Sequence, residues 1–296
     1  MLLCRMQTMQ HIFSAFHQGL KPLYAFNEAE AITLLAISEI TGFSKAKIKA
    51  FPEQEIGPDQ AKQLTSILIR LKTGEPIQYI IGHTEFYGLP FKVNPSVLIP
   101  RPETEELVEW VIASVGPQQC WGAVGSILDI GTGSGCIAIS LKKNLPAFKV
   151  AAIDISDDAL KTAGENARLN DANVEFIKMD ILNAEKPLTF HLSPFTLIIS
   201  NPPYVTLHDQ TQMHKNVVDF EPHAALFVPK DDPLVFYKAI ADLAVKNLIA
   251  NGLLFFEINE NFGKEIVELL TEKGFNKIVL KKDISGRDRM VMALLK

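Results

Sequence analysis

The chain has 296 residues, of which 47% are hydrophobic and 21% charged, and its formal net charge is −5. These values exclude a disordered chain, and the ordinary content of 17 Gly and 17 Pro excludes a fibrous or low-complexity one. The length suits one large or two smaller domains, and the mildly acidic balance argues against gripping nucleic acid by bulk charge.

The cysteines Cys4, Cys120 and Cys136 are far apart and form no CxxC pair, which fits a reducing compartment. No apolar run approaches the ~20 residues of a membrane span, so no membrane association is expected and a cytoplasmic location is the default. Residues 1–27 contain no acid and only Arg5 and Lys21 as full positive charges, too few for a transit peptide. They read as a first helix, with Met6 or Met9 as alternative starts.

Asn27 is the expected N-cap of a helix over 28–41, with Glu30 three residues on and Gly42 as the stop. Leu34, Leu35, Ile37 and Ile40 give that helix an apolar stripe, read as core of a small domain. A second helix is predicted from Pro58 to Lys72, ending before Gly74. Residues 84–94 alternate around Gly88 and predict a hairpin. Pro102 opens a connecting helix over 101–115, with Glu103, Glu105 and Glu106 at its positive end. Residues 1–100 hold 9 basic and 8 acidic residues, and residues 101–296 hold 20 and 26.

From residue 126 short apolar runs alternate with helical stretches. The runs are Ser126–Ile130, Val150–Ile153, Val174–Ile177, Thr196–Ser200, Leu253–Glu257, Lys277–Leu280 and Arg289–Leu294. Helical patterns fall at 135–144, 156–168, 233–249 and 262–273. Alternation of this kind means βαβ units and a parallel sheet. The short turn Asp283–Asp288 makes the final strand antiparallel. The fold class is therefore α/β, a doubly wound, Rossmann-like sheet with an antiparallel C-terminal hairpin, preceded by a small helical domain.

The first strand of the sheet ends in Gly131-Thr132-Gly133-Ser134-Gly135. Glycines allow a tight turn, and the helix that follows points free N–H groups at a ligand. A dinucleotide fingerprint needs a glycine where Cys136 stands, and the Gly-Lys-Ser/Thr of a P-loop is absent. Asp154, at the tip of the second strand, can accept both ribose hydroxyls of a nucleoside. The blander reading of Asp154 as a helix cap competes with Ser156 for that role. Asp180, after the third strand, can meet an adenine amino group, and Ile181 can pack on the ring. Without phosphate-binding features, the ligand that fits best is S-adenosylmethionine, with Asp129 helping to hold its ammonium directly or through water.

The fourth strand runs into Asn201-Pro202-Pro203-Tyr204. Two prolines end the strand abruptly and stiffen a turn beside the glycine loop, where open α/β sheets bind ligands. A planar nitrogen with a delocalised lone pair suits this turn. The Asn201 side-chain oxygen can accept one N–H, the Pro202 carbonyl the other, and Tyr204 can stack on the planar group. The outcome is in-line methyl transfer driven by positioning and electrostatics, with no metal.

This NPPY turn on a GxGxG core resembles the HemK/PrmC-type protein-(glutamine-N5) methyltransferases. The same tetrapeptide also occurs in enzymes that methylate amino groups of DNA and RNA. Further segments carry the resemblance: Pro76–Gly82 with Phe86-Tyr87-Gly88, Leu98–Glu105, Phe220-Glu221-Pro222, Ala225-Leu226 and Asp283–Arg289. It covers essentially the whole chain. It implies a helical substrate-recognition domain over 1–83, a hairpin linker over 84–100 and an S-adenosylmethionine-dependent methyltransferase domain over 101–296. It also implies transfer to the glutamine of the Gly-Gly-Gln motif of peptide chain release factors. Gly131–Gly135, Asp154, Ile181 and Asn201 would contact the cofactor, and Asn201, Pro202, Pro203 and Tyr204 would hold the glutamine amide. A monomer making no direct contact with nucleic acid is expected.

Two features depart from the family pattern. Residues 227–233 replace a glycine-rich stretch, and position 181, often aromatic in relatives, is Ile. His208, His214 and His223 have no metal-ligand spacing and read as surface residues. Cys136, Trp110 and Trp121 read as packing. The alternatives are a glutamine methyltransferase for a ribosomal protein, a nucleic-acid amino-methyltransferase, and a binding module that keeps only the cofactor fold.

Overall fold

A computed structural model of the chain describes residues 8–115, 124–183 and 194–296. Cys4, Met6, Cys120 and Trp121 lie outside the described residues. The chain divides into two compact units, Met1–Gly82 with His214–Phe220, and His83–Met213 with Glu221–Lys296.

The first unit is helical: α1 (Met9–Leu20), α2 (Phe26–Thr41), α3 (Lys45–Ala50), α4 (Pro58–Leu71) and α5 (Ile77–Ile81). Thr8 caps α1 by accepting from the His11 amide. The expected cap Asn27 lies inside α2, whose N-cap is Ala25 with no side-chain bond. Extended backbone at Ala25 already starts the helix two residues earlier, so the Asn side chain has no orphan amide to satisfy. Gly42 ends the helix in the left-handed conformation, φ 70°. Leu34 and Ile37 are buried with Ile12, Phe16, Leu64 and Leu68 in one apolar core, and Leu35 and Ile40 pack on its rim.

The second unit begins with the hairpin β1 (His83–Phe86) and β2 (Leu89–Lys92), turned at Tyr87 and Gly88, both at positive φ. It continues with α6 (Pro102–Ser114), β3 (Ser126–Ile130), α7 (Cys136–Asn144), β4 (Lys149–Asp154), α8 (Asp157–Leu169), β5 (Val174–Lys178), β6 (Phe195–Ser200) and the short α9 (Leu207–Gln210). Next comes α10 (Lys215–Phe220), which belongs to the helical unit. There the His214 ring stacks on Tyr24, with centroids 5.4 Å apart, and its Nε2 meets the Leu23 carbonyl at 2.8 Å. The second unit then closes with α11 (Val235–Asn247), β7 (Leu248–Glu257), α12 (Gly263–Glu272), β8 (Phe275–Lys282) and β9 (Asp288–Leu295).

Its seven strands lie in the order β5-β4-β3-β6-β7-β9-β8, and every apolar run predicted from the sequence coincides with one of them. The first five are parallel, and β9 runs antiparallel to both β7 and β8. All residues of β3 and β6 are buried, as expected of parallel strands covered on both faces. Alternate residues serve opposite faces. Leu128, Ile198, Leu254 and Phe256 pack against α11 and α12, while Ile127, Leu197, Ile199 and Phe255 pack against α6 and α7. Trp110 of α6 sits edge-on to Phe255 at 5.4 Å, a packing role.

Candidate active site

The carboxyl ends of β3, β4 and β6 lie side by side. The Ser200 hydroxyl donates to the Ile130 carbonyl at 2.7 Å, fastening the end of β6 to the start of the glycine loop. Within that loop Gly131, Gly133 and Gly135 all have positive φ, of 74°, 54° and 82°. A Cβ at Gly131 or Gly133 would meet nothing within 4 Å, so that backbone faces open space. A Cβ at Gly135 would lie 3.0 Å from Ile139 Cδ1 and 3.1 Å from Ala163 Cβ. Gly135 therefore serves the close approach of α7 and α8, while the backbone at Gly131 and Gly133 is left uncovered.

The loop is braced from three sides. The Gly133 amide donates to Asp154 Oδ2 at 2.8 Å, and Thr132 Oγ1 donates to Asp129 Oδ2 at 2.6 Å. Asn166 of α8, fully buried, donates to the Ser134 carbonyl at 2.9 Å and to the Lys92 carbonyl at 3.0 Å. Cys136, in the first turn of α7, is buried and its thiol is pushed up to about 12 by burial, a packing residue with no thiolate to offer.

Asp154 also accepts from the Ser156 amide at 2.9 Å through Oδ1, while Ser156 itself caps α8. A carboxylate has about four lone-pair sites, so two remain after these backbone bonds. Asp129 is completely buried and its Oδ1 has no hydrogen-bond partner. Burial pushes its carboxyl up to about 7. Asp180 caps the turn that follows it, accepting from the Leu182 amide and from Asn183 Nδ2, and Ile181 packs on the sheet core.

The NPPY turn leaves β6 with Pro202 buried and Asn201 and Tyr204 partly buried. Asn201 Nδ2 donates to Thr104 Oγ1 at 3.2 Å, Thr104 donates to Glu257 Oε2 at 2.7 Å, and Tyr204 donates to Glu257 Oε1 at 3.2 Å. Among the described residues nothing donates to Asn201 Oδ1 or to the Pro202 carbonyl. Beyond the turn Val205 pairs with Phe227, and Asn259 Nδ2 donates to the Tyr204 carbonyl at 3.1 Å. That pairing gives the atypical 227–233 segment a fixed start. Arg101 pairs with the buried Glu221, which also accepts from the Ile99 amide at 3.2 Å.

The structure thus brings Asp129, Thr132, Gly133, Asp154, Asn201, Pro202 and Tyr204 to one end of the sheet. Thr104, Arg101 and Glu221 lie in the Leu98–Glu105 and Phe220–Pro222 segments but have no role legible in the sequence, and Glu257 reads there only as the end of a strand. A carboxylate closing an otherwise apolar run, Leu253–Phe256, is the signal that marks it. Among the described residues no cluster of three or more His, Cys, Asp or Glu is arranged to hold a metal, and no helix is long and apolar enough to cross a membrane.

This strand order, with an antiparallel strand slotted beside the last parallel one, is the fold of the class I methyltransferases. The hMettl16 catalytic domain shares it, with a TM-score of 0.52 at 16% identity over 80% of this chain and 81% of that one. So does the T. thermophilus 16S rRNA methyltransferase RsmC in complex with AdoMet and guanosine, with a TM-score of 0.50 at 17% identity over 72% and 50%. Both likenesses carry the fold alone.

The narrower assignment comes from sequence relatives. The PrmC N-terminal domain model matches residues 15–82, and the methyltransferase small domain model matches residues 114–224. The release factor glutamine methyltransferase of Flavobacterium psychrophilum is 47% identical over 276 residues, 93% of this chain and 95% of that protein. Its counterpart from Bacteroides thetaiotaomicron is 40% identical over 285 residues, 96% and 99%. The chain belongs to the release factor glutamine methyltransferase family and is a methyltransferase.

Proposed function

We propose that the enzyme transfers a methyl group from S-adenosylmethionine to the side-chain amide nitrogen of the glutamine in the Gly-Gly-Gln motif of peptide chain release factors. The observation that carries this reading is the orientation of Asn201. Its amide nitrogen is engaged by Thr104, which leaves Oδ1 as an open acceptor on the same turn as the Pro202 carbonyl. Two acceptors on one rigid turn suit the two hydrogens of a primary amide.

The residues fit the cofactor. Gly131 and Gly133 expose backbone to open space, Asp154 has two lone pairs left for ribose hydroxyls, and the unpartnered Oδ1 of Asp129 suits an ammonium, directly or through water. Asp180 and Ile181 would border the adenine. When bound, the cofactor supplies an electrophilic methyl on a sulfonium.

The chain's own contribution is placement. Asn201 Oδ1 and the Pro202 carbonyl each accept one amide hydrogen, which fixes the plane of the glutamine side chain and aims its nitrogen along the transfer line. Pro202 and Pro203 hold that turn stiff, and Tyr204, tethered to Glu257, lies against the amide plane. As the nitrogen gains the methyl it becomes more acidic, and its proton leaves to water. Positioning of this kind is worth several kcal/mol of barrier, on the order of 7–11 in favourable intramolecular cases.

The test incubates the enzyme with methyl-labelled S-adenosylmethionine and a release factor. Label on the Gly-Gly-Gln glutamine is expected, and its absence overturns the reading. Asn201→Ala should lower kcat on the order of 100-fold or more while the cofactor still binds. Retained activity would remove Asn201 from its assigned role.

A further inference from the structure

The Asn201 side chain can act only one way round. Turning its amide by half a rotation would put two N–H donors where the substrate amide also presents N–H, and the acceptor would be lost. Something must therefore fix that orientation, and Thr104 alone cannot. A hydroxyl both donates and accepts, so Thr104 Oγ1 is equally able to receive from Nδ2 or to give to Oδ1.

The direction is set one bond further back. Glu257 is 1% exposed, at the end of β7, and both of its oxygens are engaged. Oε2 takes the Thr104 hydrogen at 2.7 Å and Oε1 takes the Tyr204 hydrogen at 3.2 Å. An ionised carboxylate only accepts. Once it has taken the Thr104 hydrogen, Thr104 has only lone pairs to show Asn201, and Asn201 must answer with Nδ2, at 3.2 Å. We infer that Glu257, acting through Thr104, is the positioning residue that orients the Asn201 amide, and that the same carboxylate anchors Tyr204. The inference rests on the role proposed above for Asn201.

The carboxylate has matching surroundings. Arg289 of β9 is the cation that supports its charge, and Glu103 of α6 opposes it. Tyr204 from the NPPY turn, Tyr237 from α11 and Cys136 from α7 also face it. Burial nonetheless favours the protonated acid. A Glu257 protonated at Oε2 would donate to Thr104, Thr104 would then donate onward, and Asn201 would present Oδ1 to it. Activity should therefore fall on the acid side of the pH profile as this relay reverses.

The experiment compares Thr104→Val, Thr104→Ser and Glu257→Gln with the wild-type enzyme, using S-adenosylmethionine and a release factor. Thr104→Val keeps the shape but removes the relay, and kcat should fall on the order of 10- to 100-fold with cofactor affinity unchanged within about threefold. Thr104→Ser keeps the hydroxyl and should restore most of kcat. Glu257→Gln should lower kcat, and the activity that remains should show no acid limb in its pH profile. Equal activity of Thr104→Val and Thr104→Ser, or a loss confined to KM or to cofactor affinity, overturns the inference. Should Glu257→Gln not fold, the Thr104 pair decides alone. Should the wild-type enzyme methylate no release factor, the proposed function fails, and the orientation is read instead from the Asn201 side-chain amide resonances. Slowed hydrogen exchange there that is lost in Thr104→Val and kept in Thr104→Ser supports the relay, and unchanged exchange refutes it.

Discussion

The Asp154 carboxylate holds the Gly133 amide at 2.8 Å, so the tip of β4 fixes the apex of the loop that ends β3. One side chain thus shapes the glycine loop and keeps two lone pairs, which the proposed function assigns to ribose. Asp154→Ala should lower cofactor affinity at least about tenfold and should also lower stability by about 1–3 kcal/mol, because the Gly133 amide loses its acceptor. Calorimetric titration and denaturant unfolding check the two effects. Undiminished cofactor affinity would leave Asp154 with a purely structural role.

With Asp129 beside the ammonium, as the proposed function has it, cofactor binding should depend on pH. Its folded carboxyl is raised to about 7 by burial, although Thr132 works the other way, whereas an unfolded Asp titrates near 4. The folded chain therefore binds more protons between those values, and stability without cofactor should fall as pH rises from about 4 to about 7. An ammonium beside Oδ1 favours the ionised form, so cofactor binding near pH 6 should release a proton. Titrations in buffers of different ionisation enthalpy read this directly. Asp129→Asn should abolish the buffer dependence, and proton uptake on binding would refute the assignment.

The loop glycines separate binding from folding. Gly135→Ala drives a Cβ to 3.0 Å from Ile139 and 3.1 Å from Ala163 at a φ of 82°, so it should lose about 2 kcal/mol or more of stability. Gly131→Ala meets no protein atom, so its cost should stay near 1 kcal/mol while cofactor affinity falls sharply. Thermal unfolding beside cofactor titration distinguishes them, and the reverse ranking would mean that the roles are exchanged.

Cys136 should be inert in the folded enzyme, because its thiol is buried and pushed up to about 12. Peptide-resolved alkylation at neutral pH should modify it only on the unfolding timescale. Rapid labelling under native conditions would contradict the packing of α7.

The sequence made the sheet legible because each strand there is a short apolar run set off by loops, and the order of helices between them forces parallel pairing. It failed where tertiary packing decides. α3 and α5 are too short to announce themselves, and α5, running Ile-Gln-Tyr-Ile-Ile, is also rich in β-branched residues, yet Ile48 and Ile77 are buried and hold them in the helical core. The cap of α2 was misplaced because an Asn before an acidic turn is a cap by composition, whereas the backbone at Ala25 decides where the helix starts. The glycine loop after β3 was readable from spacing. Thr104, Glu221 and Glu257 were not, since their meaning lies in partners 153 residues away for the Thr104–Glu257 bond and 120 residues away for the Arg101–Glu221 pair.

β9 lies between β7 and β8, although it is synthesised after both. Until residues 288–295 are in place, β7 has an open edge and β8 has no neighbour in the sheet. Arg289, the cation that favours the charge of the buried Glu257, arrives on this same strand. During synthesis the glycine-loop end of the sheet can thus assemble first, while Glu257, the anchor of Tyr204, keeps its burial incomplete and its charge unsupported. A nascent chain released early would carry the glycine loop and lack the charge that faces Glu257.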